Sequence, residues 1–201
     1  GAVTASGTLV LSVVSNGGIS FGDASGVNPV QTFEGLRASV VGVSADGIAF
    51  AARFEDSLAD GTNGYPIPYG LNAFNDDVYF GVNLFGQGHL VTSEGSTPIV
   101  GNPPLPNQWA QRMTLMRLGP DGTIGWMHGF PEDKEPVFYR MAPNETNVVV
   151  ATTWSGTFPS ATPIAPSVGQ NLVVHAWNAD GRMWASPVLH QSSADALIPD
   201  D

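Results

Sequence analysis

Four histidines, His89, His128, His175 and His190, have the chemistry to hold zinc or copper if a fold gathers them. No two form a His-x-His or His-x-x-x-His pair, and His175 lies in a strand-like run where a related segment carries Met116, so a shared metal is not assigned. Calcium needs several oxygen donors on a tight turn, and Asp56, Asp60 and Asn63, with nearby carbonyls, could supply them. That spacing follows neither an EF-hand nor a nonapeptide calcium repeat, and a solvated acidic loop explains the same residues. Glu132-Asp133 with Glu135 reads the same way. The expectation is therefore no cofactor, with calcium as the alternative.

Hydrolytic chemistry finds no anchor. Eighteen carboxylates offer many pairs, but the separation that matters is spatial and no spacing selects one. The run Gly42-Val43-Ser44-Ala45-Asp46 breaks the Gly-x-Ser-x-Gly elbow at its last position, and no glycine-rich phosphate loop precedes Lys134. No catalytic residue is assigned. Aromatic stacking remains as a way to hold a sugar or peptide. Tyr65, Tyr69 and Trp109 stand in Gly-rich or Pro-rich stretches without counterparts elsewhere in the chain, and binding residues concentrate on loops. An insertion folded back over a sheet accounts for them equally well.

The elements that must position these side chains repeat. Asp-Gly occurs three times between a β-like run and an aromatic-containing one: Asp46-Gly47 before Phe50, Asp121-Gly122 before Trp126, and Asp180-Gly181 before Trp184. Each predicts a hairpin, because glycine takes positive φ freely and aspartate can bond the turn backbone. Upstream of each turn lie two strand-length apolar runs: 8–14 and 37–43, 77–84 and 112–118, 147–154 and 171–177. A further strand precedes them at 69–74 and 137–142, and in the first copy at Ala2-Val3-Thr4-Ala5. Phe50, Trp126 and Trp184 are expected at equivalent, buried places. The segment from Gly95 to Asn107, with Pro98, Pro103, Pro104 and Pro106, is expected to be an irregular excursion with little ladder pairing. No stretch keeps helical apolar spacing, so the chain reads as all-β.

The predicted architecture is one repeat-built domain over 1–201, with copies at about 1–64, 65–134 and 135–201. Each copy is a four-stranded antiparallel unit like a β-propeller blade, with a β-sandwich as the alternative. The third copy, with Val148-Val149-Val150, Trp154-Ser155-Gly156-Thr157-Phe158 and Asn178-Ala179-Asp180-Gly181-Arg182-Met183-Trp184, resembles the bacterial SBBP-type propeller repeats of secreted and surface proteins. The second copy resembles them at its flanks and the first more loosely, since Phe50 stands where the others place tryptophan; Pro159 to Pro163 departs from the family's usual acidic or glycine-rich stretch. The resemblance implies a propeller and an extracellular or cell-surface location, but no fixed activity.

Composition narrows the partners. A formal charge of −11 with a single lysine, Lys134, would be repelled by a phosphate backbone or an anionic bilayer. Neither nucleic-acid binding nor membrane insertion is expected, and no signal-peptide pattern or long apolar run appears. With no cysteine, disulfides and thiolate metal sites are excluded. The expected function is a non-enzymatic structural or adhesion module that assembles as a homo-oligomer, with further blades or with a partner protein. A glycan-binding lectin or carbohydrate-active enzyme is the alternative.

Overall fold

The computed structural model describes residues 1–16, 19–22, 29–33, 36–57, 67–85, 87–92, 95–98, 111–129, 137–155, 170–185 and 189–190. All regular elements among them are β-strands, as the Gly, Pro and β-branched pattern requires. In chain order they are β1 (Ala2–Val3), β2 (Leu9–Asn16), β3 (Ile19–Gly22), β4 (Pro29–Phe33), β5 (Leu36–Ser44), β6 (Gly47–Ser57), β7 (Ile67–Phe74), β8 (Asp77–Phe85) and β9 (Gln87–Thr92). They continue with β10 (Gly95–Pro98), β11 (Gln111–Leu118), β12 (Ile124–Gly129), β13 (Val137–Pro143), β14 (Val148–Ser155), β15 (Gln170–Asn178), β16 (Gly181–Ala185) and β17 (Leu189–His190).

Three antiparallel meanders carry the fold: β1-β2-β5-β6, β7-β8-β11-β12 and β13-β14-β15-β16. The four-strand pattern read from the repeat is present, but it is only part of the structure. The first sheet grows to six strands because β9 and β10, which lie between β8 and β11 in sequence, pair along β6 instead of joining their own unit. The hairpin β3–β4 forms a separate two-stranded sheet, and β17 continues along β15 beyond the end of β16.

The Asp-Gly turns set the register. Gly47 and Gly181 sit at φ of 120° and 118°, and a residue two places before each aspartate bonds the turn: Asp46 N–H donates to Ser44 Oγ, and Asp180 N–H to Asn178 Oδ1. Only in the middle turn does the aspartate itself do so, Asp121 Oδ1 accepting from Thr123 N–H at 3.0 Å and Thr123 Oγ1 at 2.6 Å. Past each turn comes a register shift, after which Phe50 faces Gly42, Trp126 faces Arg117 and Trp184 faces Ala176. The three aromatic positions are thus equivalent. Phe50 and Trp126 are buried, and the Trp184 side chain lies outside the described residues.

The expectation for Gly95 to Asn107 is corrected at its start. Gly95 to Pro98 pair in unbroken register with Thr92 to His89, an ordered edge strand. Gly95, at φ 131°, can open this strand, and Pro98 is tolerated because an edge strand has one side that needs no donors. Residues 99–107 lie outside the described set.

The sheets stack face to face in chain order. One core joins the first sheet to the second: Val10, Val40, Ala52, Phe54 and Leu90 meet Val78, Phe80, Val82, Met116 and Leu118, with the Phe54 and Phe80 rings stacked at 5.1 Å. A second core joins Tyr79, Met113, Leu115 and Trp126 to Met141, Val148, Val150, Val173 and Trp177. Alternation along a strand explains both: Val78 and Phe80 point one way and Tyr79 the other, so the middle sheet is buried on both faces. The first strands also approach one another, β1 and β2 against β7 and β7 against β13.

Candidate functional site

Between the second and third sheets lies a group of chemically capable side chains. Tyr79, Trp126, His128, Trp177 and His175 form a run of rings with successive centroid separations of 6.2, 5.3, 5.9 and 5.8 Å. The Arg182 guanidinium lies 5.6 Å from the centre of the Trp177 ring. Strand alternation supplies these contacts: β8, β11 and β12 present one face to β13, β14 and β15.

The hydrogen bonds specify the histidines' roles. His128 Nε2 is 2.8 Å from the Asn178 carbonyl and 3.1 Å from that of Ala179; both oxygens can only accept, so this nitrogen carries the proton. It fastens the last hairpin turn to the middle sheet. Trp177 Nε1 donates to His175 Nδ1, since an indole nitrogen has no acceptor capacity. His175 Nδ1 is therefore unprotonated, and its Nε2 donates to Thr152 Oγ1 at 3.2 Å. Burial, reinforced by the positive charge of Arg182, lowers the His175 pKa to about 3. A neutral, fully enclosed imidazole bonded on both sides neither relays protons to solvent nor presents a free ligand nitrogen. Tyr79 is likewise buried, which raises its phenol pKa, and its hydroxyl reaches the Asn144 carbonyl at 3.5 Å.

The first and second units are tied differently. Ala5 N–H donates to the Asn75 carbonyl at 2.7 Å and Ser6 N–H to Asp76 Oδ1 at 2.7 Å, and that bond lowers the Asp76 pKa. Arg117 and Asp77 form an ion pair at 2.6 Å beside the second core.

Of the residues singled out from sequence, His128 and His175 belong to the ring cluster between the second and third sheets, whereas His89 lies on β9 and His190 on β17. Tyr69 lies on β7, half-buried and packed against the second core. Asp56 lies on β6 opposite Gly88. Tyr65, Trp109, Asp60 and Asn63, and the side chain of Asp56, lie outside the described residues. The strands flanking them share one feature: β6 ends, and β7 and β11 begin, at the end of the sheets opposite the short hairpin turns. Among the described residues no group of three or more His, Asp or Glu is placed to hold a metal.

Sequence reading passed over Trp177, Asn178 and Arg182 as parts of one cluster. A signal was present: Trp177 occupies the register place of Val43 and Leu118, and an indole among aliphatic counterparts needs a partner for its N–H. Neither a known family model nor a curated protein matches this chain.

Proposed function

We propose that this chain is a non-enzymatic structural or adhesion module, an arc of β-propeller-like blades that works outside the cell or at its surface by assembling with other chains. The observation that supports it most is how the reactive side chains are used. His128 and Tyr79 use their polar atoms to join the second sheet to the third, and His175 and Trp177 bond each other and Thr152 inside the third sheet. The propeller reading draws on two further facts: the middle sheet is buried on both faces, and the first strands of the three meanders approach one another as innermost strands would. The likeness of the third copy to SBBP-type repeats points to the same location and class.

The test is a broad substrate screen with the purified chain against glycosides, peptides and esters. No turnover above buffer is expected, and an activity abolished by one point substitution would overturn the reading. A lectin role has one observation in its favour, since β7, which carries Tyr69 and follows Tyr65, and β11, which follows Trp109, both begin at the end of the second sheet opposite its short hairpin turns. Binding on a glycan array that is lost in Trp109→Ala would establish that alternative.

A further inference from the structure

A core of apolar side chains fills each seam between neighbouring sheets, yet the two seams are not joined alike. At the first seam the backbone itself crosses. β9 begins one residue past the end of β8, but it pairs with β6 of the first unit, from Arg53 with Val91 to Ser57 with Gln87, and β10 then pairs with β9. A piece of the second unit is thus a strand of the first sheet. Fully buried Leu90 carries this strap into the first core beside Phe54, its register partner on β6. Two backbone amides reinforce the strap: Ala5 N–H donates to the Asn75 carbonyl and Ser6 N–H to Asp76 Oδ1, on the turn between β7 and β8.

At the second seam no strand crosses among the described residues, because β12-β11-β8-β7 and β13-β14-β15-β16 are separate sheets. The bonds described there start from side chains. Asn72 Nδ2 donates to the Met141 carbonyl at 2.9 Å, the Tyr79 hydroxyl to that of Asn144 at 3.5 Å, and His128 Nε2 to those of Asn178 and Ala179. Each such donor can turn to water when the sheets part, so the net loss per bond is small. Parting the first seam costs a comparable core and, in addition, the whole β6–β9 ladder with Leu90 drawn out of its place.

From this we infer that the fold consists of two cooperative bodies, the first and second units strapped together by β9–β10 and the third unit by itself, and that it opens at the seam between the second and third sheets. Opening there leaves the first core untouched. The third unit has no such reserve: Val148, Val150, Val173 and Trp177 are covered by the second sheet, and a lone meander stripped of that layer unravels.

Hydrogen exchange of the wild type, followed by mass spectrometry in graded urea below the unfolding midpoint, separates the two bodies. Amides of β13, β14 and β15 should exchange together, through an opening reached before the one that exposes β2, β5, β8 and β11. Leu90→Ala distinguishes the bodies a second way. Position 90 stays in place while the third unit opens, so the variant should exchange the protected amides of β5 and β8 about thirtyfold or more faster, and those of β14 and β15 at the wild-type rate. Leu90→Val, a smaller truncation, repeats the comparison should Leu90→Ala fail to fold. One opening shared by all three sheets, a first unit that exchanges ahead of the second, or a Leu90 variant that accelerates β14 as much as β5 would each overturn the inference.

Discussion

His175 turns the packing of the third sheet into a measurable pH dependence. In the unfolded chain its imidazole takes up a proton near the ordinary 6.5, whereas in the folded protein burial holds the pKa at about 3. The folded state must therefore release a proton that the unfolded state binds. The site contributes its full stability above the unfolded pKa and loses it progressively as the pH falls from 6.5 towards 3. Moving from about pH 7.5 to about pH 5 should remove about 2 kcal/mol through this group alone. Other groups titrate over the same range, so the measurement is a comparison. His175→Asn cannot take up a proton there, yet it keeps an amide oxygen for the Trp177 indole. Urea unfolding followed by tryptophan fluorescence at both pH values should show the wild type falling about 2 kcal/mol further than the variant. The variant starts lower at pH 7.5, because a smaller side chain leaves a gap. Two stability curves that run parallel between those pH values would refute the reasoning, since a neutral buried imidazole requires them to converge.

Gly122 combines a φ of 81° with a position where a Cβ would lie 2.7 Å from that of Phe50; Gly122→Ala should cost about 1–3 kcal/mol in urea unfolding. Phe80→Ala should cost about 3–5 kcal/mol, because its fully buried ring stacks on Phe54, whereas Val14→Ala at a 53% exposed position should stay within about 0.5 kcal/mol. Asp77→Asn removes the partner of Arg117, whose side chain is 39% exposed, so the loss should not exceed about 1 kcal/mol and should shrink in high salt.

Much of the backbone was legible from local pattern. The three Asp-Gly hairpins, the strand order around them and the equivalence of Phe50, Trp126 and Trp184 all follow from turn chemistry and alternation, which act over a few residues. The identity of Met116 and His175 as register counterparts was readable for the same reason.

Three features needed the assembled structure. The largely polar stretch from Gln87 to Pro98 carries no mark of which sheet it will join, and only the open edge of β6 decides that β9 and β10 extend the first unit. Nothing in the spacing of His128, fifty positions before Asn178, shows that its ring will hold the last hairpin turn. Nor can sequence tell a buried histidine from a ligand, since that depends on whether both nitrogens find partners and whether water is excluded. The sequence by itself determined the strands around the three Asp-Gly turns and the register next to those turns, because these are set by neighbours along the chain. Tertiary structure alone decided which faces meet and what the polar side chains do there, because burial and hydrogen-bond partners come from residues distant in sequence.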